Sequence, residues 1–482
     1  MVGLPFIFDD AFDLPRAEGQ SAVSLLRGID LYVYYRPLPL LLWKALREVQ
    51  GRYDPVTLHA LSLALHALAG WLVVLLLRRV AGPWALVPAL FFLVFPYSYQ
   101  AVTSISSVFH LLVTVWLLLT LLLYAEGRLG RRHDLLGASV VTGALACWTH
   151  ELGVLVVPLV LMAEGLLWLL HRDAVARPVR WPLLHAVAAA VYLAMWSVAA
   201  RRPEPRVPPA DDLAEKGLFF LQGLAFPATA QLVPLQERFG HRLGSDFSER
   251  TLLAGGVAGL VALGAYAVAG RHRLAALLAL AWCALSVVQA WWLLDWAYVI
   301  DAPRLTYLAS AGAAVFWGLL PSLRFRVPAL TWTWRAATGA ALGLVLWQSG
   351  GFVQARVAML EAGAPVVWGI AAAGAAHPGQ SLVFVDVPSW FVGHRKEYAR
   401  GHLGVTLIPM YLGLDRLIYT HTGVRVRADS LRDRPATTGY HYEWDVHGRA
   451  GPPAEHVAIL AAAGAVYDVD LSGAAPVVRR RS

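Results

Sequence analysis

The chain has 482 residues, of which 58% are hydrophobic and only 15% are charged, and its mean hydropathy is +0.54. The apolar residues come in long blocks rather than in amphipathic stripes, which excludes an ordinary soluble enzyme. The formal net charge is +8, but the basic residues are scattered through short loops between the apolar blocks. A positive-inside bias explains this charge better than nucleic-acid binding does, so we expect a membrane protein without a nucleic-acid partner.

Ten apolar blocks are long enough to predict transmembrane helices, because a helix needs about 20 residues to cross a bilayer. They lie at about 56–77, 83–101, 105–125, 135–148, 152–170, 182–200, 252–269, 274–294, 305–320 and 329–350. The predicted fold class is therefore an all-α polytopic membrane protein.

Alternate loops carry the basic residues. Arginines follow the first, third, fifth and seventh predicted spans and precede the tenth, and such short basic loops are retained in the cytoplasm. The other short loops contain a single Arg or Lys, Arg304. Residues 1–55, the loop 201–251 and the tail from 351 are therefore expected together on the extracytoplasmic side of the cell membrane.

The chain is predicted to divide near residue 350. Residues 1–350 form the transmembrane domain and residues 351–482 a small extracytoplasmic α/β domain, in which a helix-like stretch at 352–374 precedes a strand-like run from Leu382 to Val387. No predicted span precedes the first outer segment. We therefore expect either that a first helix is encoded upstream of Met1, which we favour, or that the N-terminus crosses the membrane without such a helix.

The first outer segment contains three carboxylates among aromatic residues, Asp9, Asp10 and Asp13. Neighbouring acids at a membrane surface can act as a general base or bind a divalent cation. The structural alternative is a solvated acidic loop in which Asp13 caps a helix.

Basic and polar side chains mark three further outer positions. Arg36, next to two tyrosines, suits bidentate phosphate binding, although a structural or headgroup contact explains it equally well. His150 and Glu151 occupy a short turn where charge is costly unless it serves a site or an ion pair. Arg304 and Tyr307 belong to a second polar cluster, in which Asp–Arg pairs would neutralise each other.

In this order, the motifs resemble those of the C-class glycosyltransferases (GT-C), multi-spanning enzymes that take sugars from polyprenyl-phosphate donors and include the protein O-mannosyltransferases. The likeness covers about residues 6–320. Its elements are Phe8-Asp9-Asp10, Tyr35-Arg36-Pro37-Leu38, the helix with His59 and His66, Phe95-Pro96, His150-Glu151 and the stretch from Pro303 to Leu308.

The resemblance implies a GT-C-like fold and an inverting transferase that moves a sugar from a polyprenyl-phosphate donor to an acceptor on the extracytoplasmic face. It implies that Asp9 or Asp10 is catalytic, either as the base or through a divalent metal such as Mg or Mn. Arg36 and Arg304 become candidates for the donor phosphate. The full set of substrate-binding residues that it implies is Arg36, His150, Glu151, Arg304 and Tyr307.

The sequence departs from the family in two places. The initial membrane helix is absent from it, and Gln100 stands where relatives often carry an acid. Two alternatives therefore stay open, a non-catalytic scaffold with the same fold and a transporter of lipid-linked substrates. A transporter would require charged residues at mid-membrane depth, whereas the acids here cluster at the ends of the predicted spans.

Overall fold

The structure, a computed structural model, describes most of the chain. The described residues are 1–28, 34–170, 180–199, 209–226, 247–269, 272–300, 302–392, 404–408, 413–431, 459–460, 463–470 and 477–481. Asp301 and part of the loop 201–251 lie outside them.

Helices make up nearly all of the described part before residue 377. They are α1 (Asp10–Asp13), α2 (Ala22–Arg27), α3 (Pro37–Gln50), α4 (Pro55–Ala81), α5 (Leu86–Leu93), α6 (Tyr99–Thr103), α7 (Val108–Leu129), α8 (His133–Thr149), α9 (Val156–Leu170), α10 (Arg180–Ala199), α11 (Ala210–Leu224), α12 (Phe247–Ala269), α13 (Arg273–Leu293), α14 (Trp296–Ile300), α15 (Tyr307–Gly318) and α16 (Pro328–Ala376). Short 3-10 turns at Pro96–Ser98, Ile105–Ser107, Glu151–Leu155 and Pro303–Thr306 connect several of them.

Seven helical stretches among the described residues are long and apolar enough to cross a membrane. They are Pro55–Leu93, Ile105–Leu129, Glu151–Leu170, Arg180–Ala199, Arg273–Leu293, Pro303–Ser322 and Pro328–Ala376. The first of them contains the first predicted span and most of the second. The predicted spans at 135–148 and 252–269 coincide with α8 and α12, whose apolar parts are shorter. The prediction of an all-α polytopic membrane protein is confirmed.

The second predicted span is not one continuous helix. α5 ends at Leu93, and Phe95 adopts an extended conformation before the 3-10 turn that begins at Pro96. The proline ring disfavours helical geometry at the residue before it, which explains the break. The chain resumes in the short helix α6, so Gln100 lies buried in a helix of five residues rather than in a long continuous one.

The last helix of the bundle, α16, has 49 residues and is therefore about 70 Å long. It contains both the tenth predicted span and the helix-like stretch predicted at 352–374. The boundary predicted at residue 350 thus falls inside one continuous helix. The second half of α16 packs against the C-terminal unit.

The C-terminal unit is a small α/β structure, as predicted. Its strands are β1 (Ser381–Val385), β2 (Trp390–Val392), β3 (Gly404–Thr406), β4 (Arg427–Leu431), β5 (Ala465–Asp470) and β6 (Val477–Arg480), and its helix α17 is Leu414–Thr422. Four strands form a sheet in the order β4-β1-β5-β6, in which β1 is parallel to both neighbours and β6 is antiparallel to β5. The apolar β1 is almost wholly buried, as expected for a central parallel strand.

The basic connections lie together at one end of the helix bundle. Arg79, after the first span, pairs with Glu126 near the end of α7. Arg128, in the last turn of α7, pairs with Glu164 of α9. The acidic first segment contacts the opposite end of α7, where the Ser106 amide donates to Asp10.

Candidate functional site

Asp10 is a fully buried anchor for the first segment. One carboxylate oxygen accepts hydrogen bonds from the Ser106 amide (2.7 Å) and the Ser104 hydroxyl (3.1 Å), and the other accepts from the Ile7 amide (3.0 Å). Burial raises the pKa of Asp10 to about 7, against these hydrogen bonds, which lower it. Asp10 therefore ties the acidic turn to the start of α7 and is directed away from the other charged residues of the site.

Asp9 faces the opposite way. Its side chain is 18% exposed, and its Oδ2 lies 3.8 Å from Nη2 of Arg304. Phe8, just before it, has a left-handed backbone conformation with φ of 53°, which is uncommon outside glycine, and its ring lies 4.6 Å from the Arg304 guanidinium carbon. This turn therefore presents both an aromatic face and a carboxylate to one cation.

Arg304 is itself almost fully buried, with 3% of its side chain exposed. Its Nη1 donates to the Gln100 side-chain oxygen (3.0 Å) and its Nη2 donates to the Tyr298 hydroxyl (2.6 Å). Both of these partners are neutral. Gln100 thus orients the guanidinium without cancelling its charge.

Arg36 forms a second cationic centre. Its Nε and Nη2 each lie 2.8 Å from Oε2 of Glu151, and its guanidinium lies over the rings of Tyr34 and Phe109 at 4.1 and 4.3 Å. The other carboxylate oxygen of Glu151, Oε1, is buried and has no hydrogen-bond partner among the described residues. A buried acceptor left in this way is costly, so this oxygen is suited to receive a donor from a ligand.

The turn that carries Glu151 is held tightly. A Cβ on Gly153 would come within 2.2 Å of the Ala146 backbone, so only glycine allows the turn to fold back onto α8. His150 Nδ1 accepts from the Leu152 amide (3.0 Å), and its ring lies 5.0 Å from that of His110. His110 Nδ1 is also buried without a hydrogen-bond partner among the described residues.

Asp13 interacts electrostatically with both cationic centres, the guanidiniums of Arg36 and Arg304. Burial and, to a smaller extent, the negative charge of Asp9 raise the pKa of Asp13 to about 7, against the guanidiniums of Arg16, Arg36 and Arg304, which lower it. Asp13 makes no capping hydrogen bond and lies 3.6 Å from Arg16. The capping role considered for Asp13 is therefore wrong, and Asp13 belongs with Asp9 to the charged cluster, as its place among the three carboxylates of the first segment allowed.

Tyr307 lies apart from this cluster, in the core of the bundle. Its hydroxyl hydrogen-bonds to Nδ1 of His66 (2.8 Å), whose Nε2 hydrogen-bonds to the Leu93 carbonyl (3.0 Å). Because a carbonyl only accepts, Nε2 carries the His66 proton, and the tyrosine donates to Nδ1. Tyr307 and His66 thus link α15 to α4 and α5. The sequence motif at the start of this span did not predict that structural role.

The two carboxylates predicted to hold a divalent metal already have other partners. Both Asp10 oxygens accept hydrogen bonds, whereas Asp9 faces a guanidinium. Among the described residues, no group of three or more His, Cys, Asp or Glu side chains could bind a metal ion. Metal binding by Asp9 and Asp10 stays a prediction, and the carboxylate of Asp9 is equally able to act as a base without a metal.

A cavity of about 560 Å³ lies between the helices at the other end of the bundle. Leucine and alanine side chains of α4, α7, α9, α13 and α15 line it, together with Arg79. It is separate from the charged cluster around Asp9.

The chain is similar in structure to ArnT from Cupriavidus metallidurans. The crystal structure of that protein in the apo state has a TM-score of 0.39 to this chain, and the crystal structure bound to undecaprenyl phosphate has a TM-score of 0.36. In both cases the identity is 14%, and the alignment covers 99% of this chain and 94% of the other. No family model matches the sequence, and no curated protein matches it.

Proposed function

We propose that the protein is a GT-C-like membrane glycosyltransferase that moves a sugar from a polyprenyl-phosphate donor to an acceptor on the extracytoplasmic face. One observation carries this proposal: a buried guanidinium, Arg304, and a partly buried one, Arg36, converge with a partly exposed carboxylate, Asp9, at one end of a bundle of apolar helices. A lipid phosphate arriving from the bilayer would meet this cluster at the membrane surface. The motif resemblance supports the same function.

The reaction is a single displacement. A hydroxyl oxygen of the acceptor forms a bond to the anomeric carbon of the sugar while the bond from that carbon to the phosphate oxygen breaks. The acceptor proton passes to Asp9, and the polyprenyl phosphate leaves with the electron pair. Arg36 and Arg304 stabilise the negative charge that develops on the phosphate, since guanidiniums match phosphate oxygens in geometry.

The ion pair between Asp9 and Arg304 links binding to catalysis. An Asp beside a guanidinium is a weak base because the positive charge favours its ionised form. When the donor phosphate binds Arg304, that charge is shared with the phosphate and Asp9 becomes a stronger base. Glu151 Oε1 and His110 Nδ1, both buried, are suited to bind the acceptor beside Arg36.

The test is sugar transfer or release from a panel of polyprenyl-phosphate sugars by the purified protein in nanodiscs. We expect Asp9→Asn to lower the rate by at least about 100-fold because the base is lost, with little change in stability. Asp10→Asn should instead lower the free energy of unfolding by about 1–3 kcal/mol, because its amide nitrogen cannot replace all three acceptor contacts. Asp134→Asn, which changes an exposed carboxylate in the first turn of α8, is the matched control.

Full activity of Asp9→Asn would remove Asp9 from the mechanism. A well-folded wild type that binds these lipids but transfers no sugar from any of them would favour the scaffold or the transporter instead.

A further inference from the structure

The C-terminal unit touches the acidic turn directly through the backbone. Three successive amides of the first segment each donate a hydrogen bond: Phe6 to Nε2 of His421 (3.0 Å), Ile7 to Asp10 (3.0 Å) and Phe8 to the Leu407 carbonyl (2.9 Å). The first and third acceptors belong to the C-terminal unit, more than 390 residues further along the chain. The backbone immediately before Asp9 is thus fixed from that unit.

His421 is oriented for this contact. Its Nδ1 hydrogen-bonds to the Leu417 carbonyl (2.8 Å) one turn earlier in α17, so Nδ1 carries the proton and Nε2 is the acceptor for the Phe6 amide. Its ring packs between those of Phe6 and Trp368, at 5.0 and 5.2 Å. Burial lowers the pKa of His421 to about 4, which keeps the ring neutral and Nε2 able to accept at neutral pH.

Two further residues of α17 contact the first segment of the chain. Thr420 donates to the Ala11 carbonyl (3.4 Å), and the Arg416 guanidinium carbon lies 5.0 Å from the Phe12 ring. One face of this helix therefore supports the acidic turn.

We infer that His421 is a positioning residue that holds the Phe6–Phe8 backbone and thereby sets Asp9 against Arg304, a catalytic consequence that rests on the proposed function. The left-handed conformation of Phe8 explains why support is needed. A non-glycine residue in that region costs about 1–3 kcal/mol and persists where surrounding contacts hold it. The C-terminal unit is then part of the active-site framework rather than a separate cap.

Two amide substitutions separate the two hydrogen bonds of His421. Asparagine can reproduce the Nδ1 donor to Leu417 but is too short to reach Phe6, whereas the glutamine oxygen can take the place of Nε2. Hydrogen exchange of the full chain in nanodiscs, followed by mass spectrometry on the peptide containing Phe6 and Phe8, reads the contact without reference to activity. We expect roughly tenfold faster exchange in His421→Asn, near wild-type exchange in His421→Gln, and no change in Thr422→Ala, a control on the same helix.

Turnover is the second readout. We expect His421→Asn to lower kcat roughly 10- to 100-fold with donor KM changed less than about threefold, and His421→Gln to restore most of kcat. Unchanged exchange at Phe6 and Phe8 in a folded His421→Asn protein would overturn the inference. His421→Leu, which also lacks the acceptor, takes its place should the asparagine variant not fold. If the wild type transfers no sugar, the proposed function fails. The exchange data still test the hydrogen bond between His421 and the Phe6 amide in that case.

Discussion

The two cationic centres of the site are built differently. Arg36 makes two short contacts to the carboxylate of Glu151 and lies between two aromatic rings. Arg304 is oriented by the neutral groups of Gln100 and Tyr298, and its contact with Asp9 is longer, at 3.8 Å. At the longer of these two charge contacts the carboxylate offsets less of the guanidinium charge, because the Coulomb attraction falls with distance.

This difference indicates that the two arginines have different roles. Arg304 is suited to bind the donor phosphate and release Asp9 as a base. Arg36 is suited mainly to fix Glu151 and the turn that carries it, with a smaller share in phosphate binding. Three measurements can break or sharpen this comparison.

The largest effect is expected at Arg304. Arg304→Gln should lower kcat/KM by about 100- to 1000-fold, because one donor to the developing phosphate charge is lost. Arg304→Lys should recover part of the activity, because it restores the charge without the planar fork. Steady-state kinetics with the panel sugar that the wild type transfers provide the measurement, and wild-type turnover in Arg304→Gln would contradict the assignment.

A smaller effect, on stability, is expected at Arg36. Arg36→Gln leaves the Glu151 carboxylate, which is 13% exposed, without its charged partner and should cost about 3–5 kcal/mol. Adding Glu151→Gln should recover much of this loss, because the unpaired charge is removed. Chemical unfolding in detergent measures both. If the double variant is no more stable than the single one, the pair is not structural.

The smallest effect is a pH dependence caused by Asp13. Its folded pKa of about 7 lies above the ordinary value of 3.8, so the stability that it contributes is present at low pH and is lost as the pH rises through about 7. The thermal unfolding midpoint should therefore fall between pH 5 and pH 8, and Asp13→Asn should make this decline shallower. The pKa of Asp10 is raised in the same direction, so part of the decline in stability with pH should remain in Asp13→Asn. A decline of equal steepness in the variant would show that Asp13 does not titrate as described.

Arg36 and Arg304 both affect the pH dependence of stability that Asp13 causes. Each guanidinium opposes the raised pKa of Asp13, and Arg36 has a larger effect than Arg304. Removal of either charge should steepen the decline, more so for Arg36→Gln. Equal effects would weaken the proposed difference between the two centres.

The sequence by itself determined the membrane class and the positions of most helical segments, but not the break before Pro96 or the continuity of α16. Hydropathy identifies such segments because it is a local property, and the alternation of basic loops predicts which connections share a side of the membrane. The central buried strand of the C-terminal unit was also visible, because its apolar run is continuous.

Only the tertiary structure decided which of two adjacent aspartates faces the guanidinium. Neighbouring residues in a turn point in different directions, and long-range partners select the direction: Ser104 and Ser106 hold Asp10, and Arg304 meets Asp9. The same holds for Tyr307, which the bundle directs toward His66, and for His421, whose partner Phe6 is 415 residues away. Contacts between such distant residues depend on how the helices and the sheet pack, and no local pattern in the sequence records that packing.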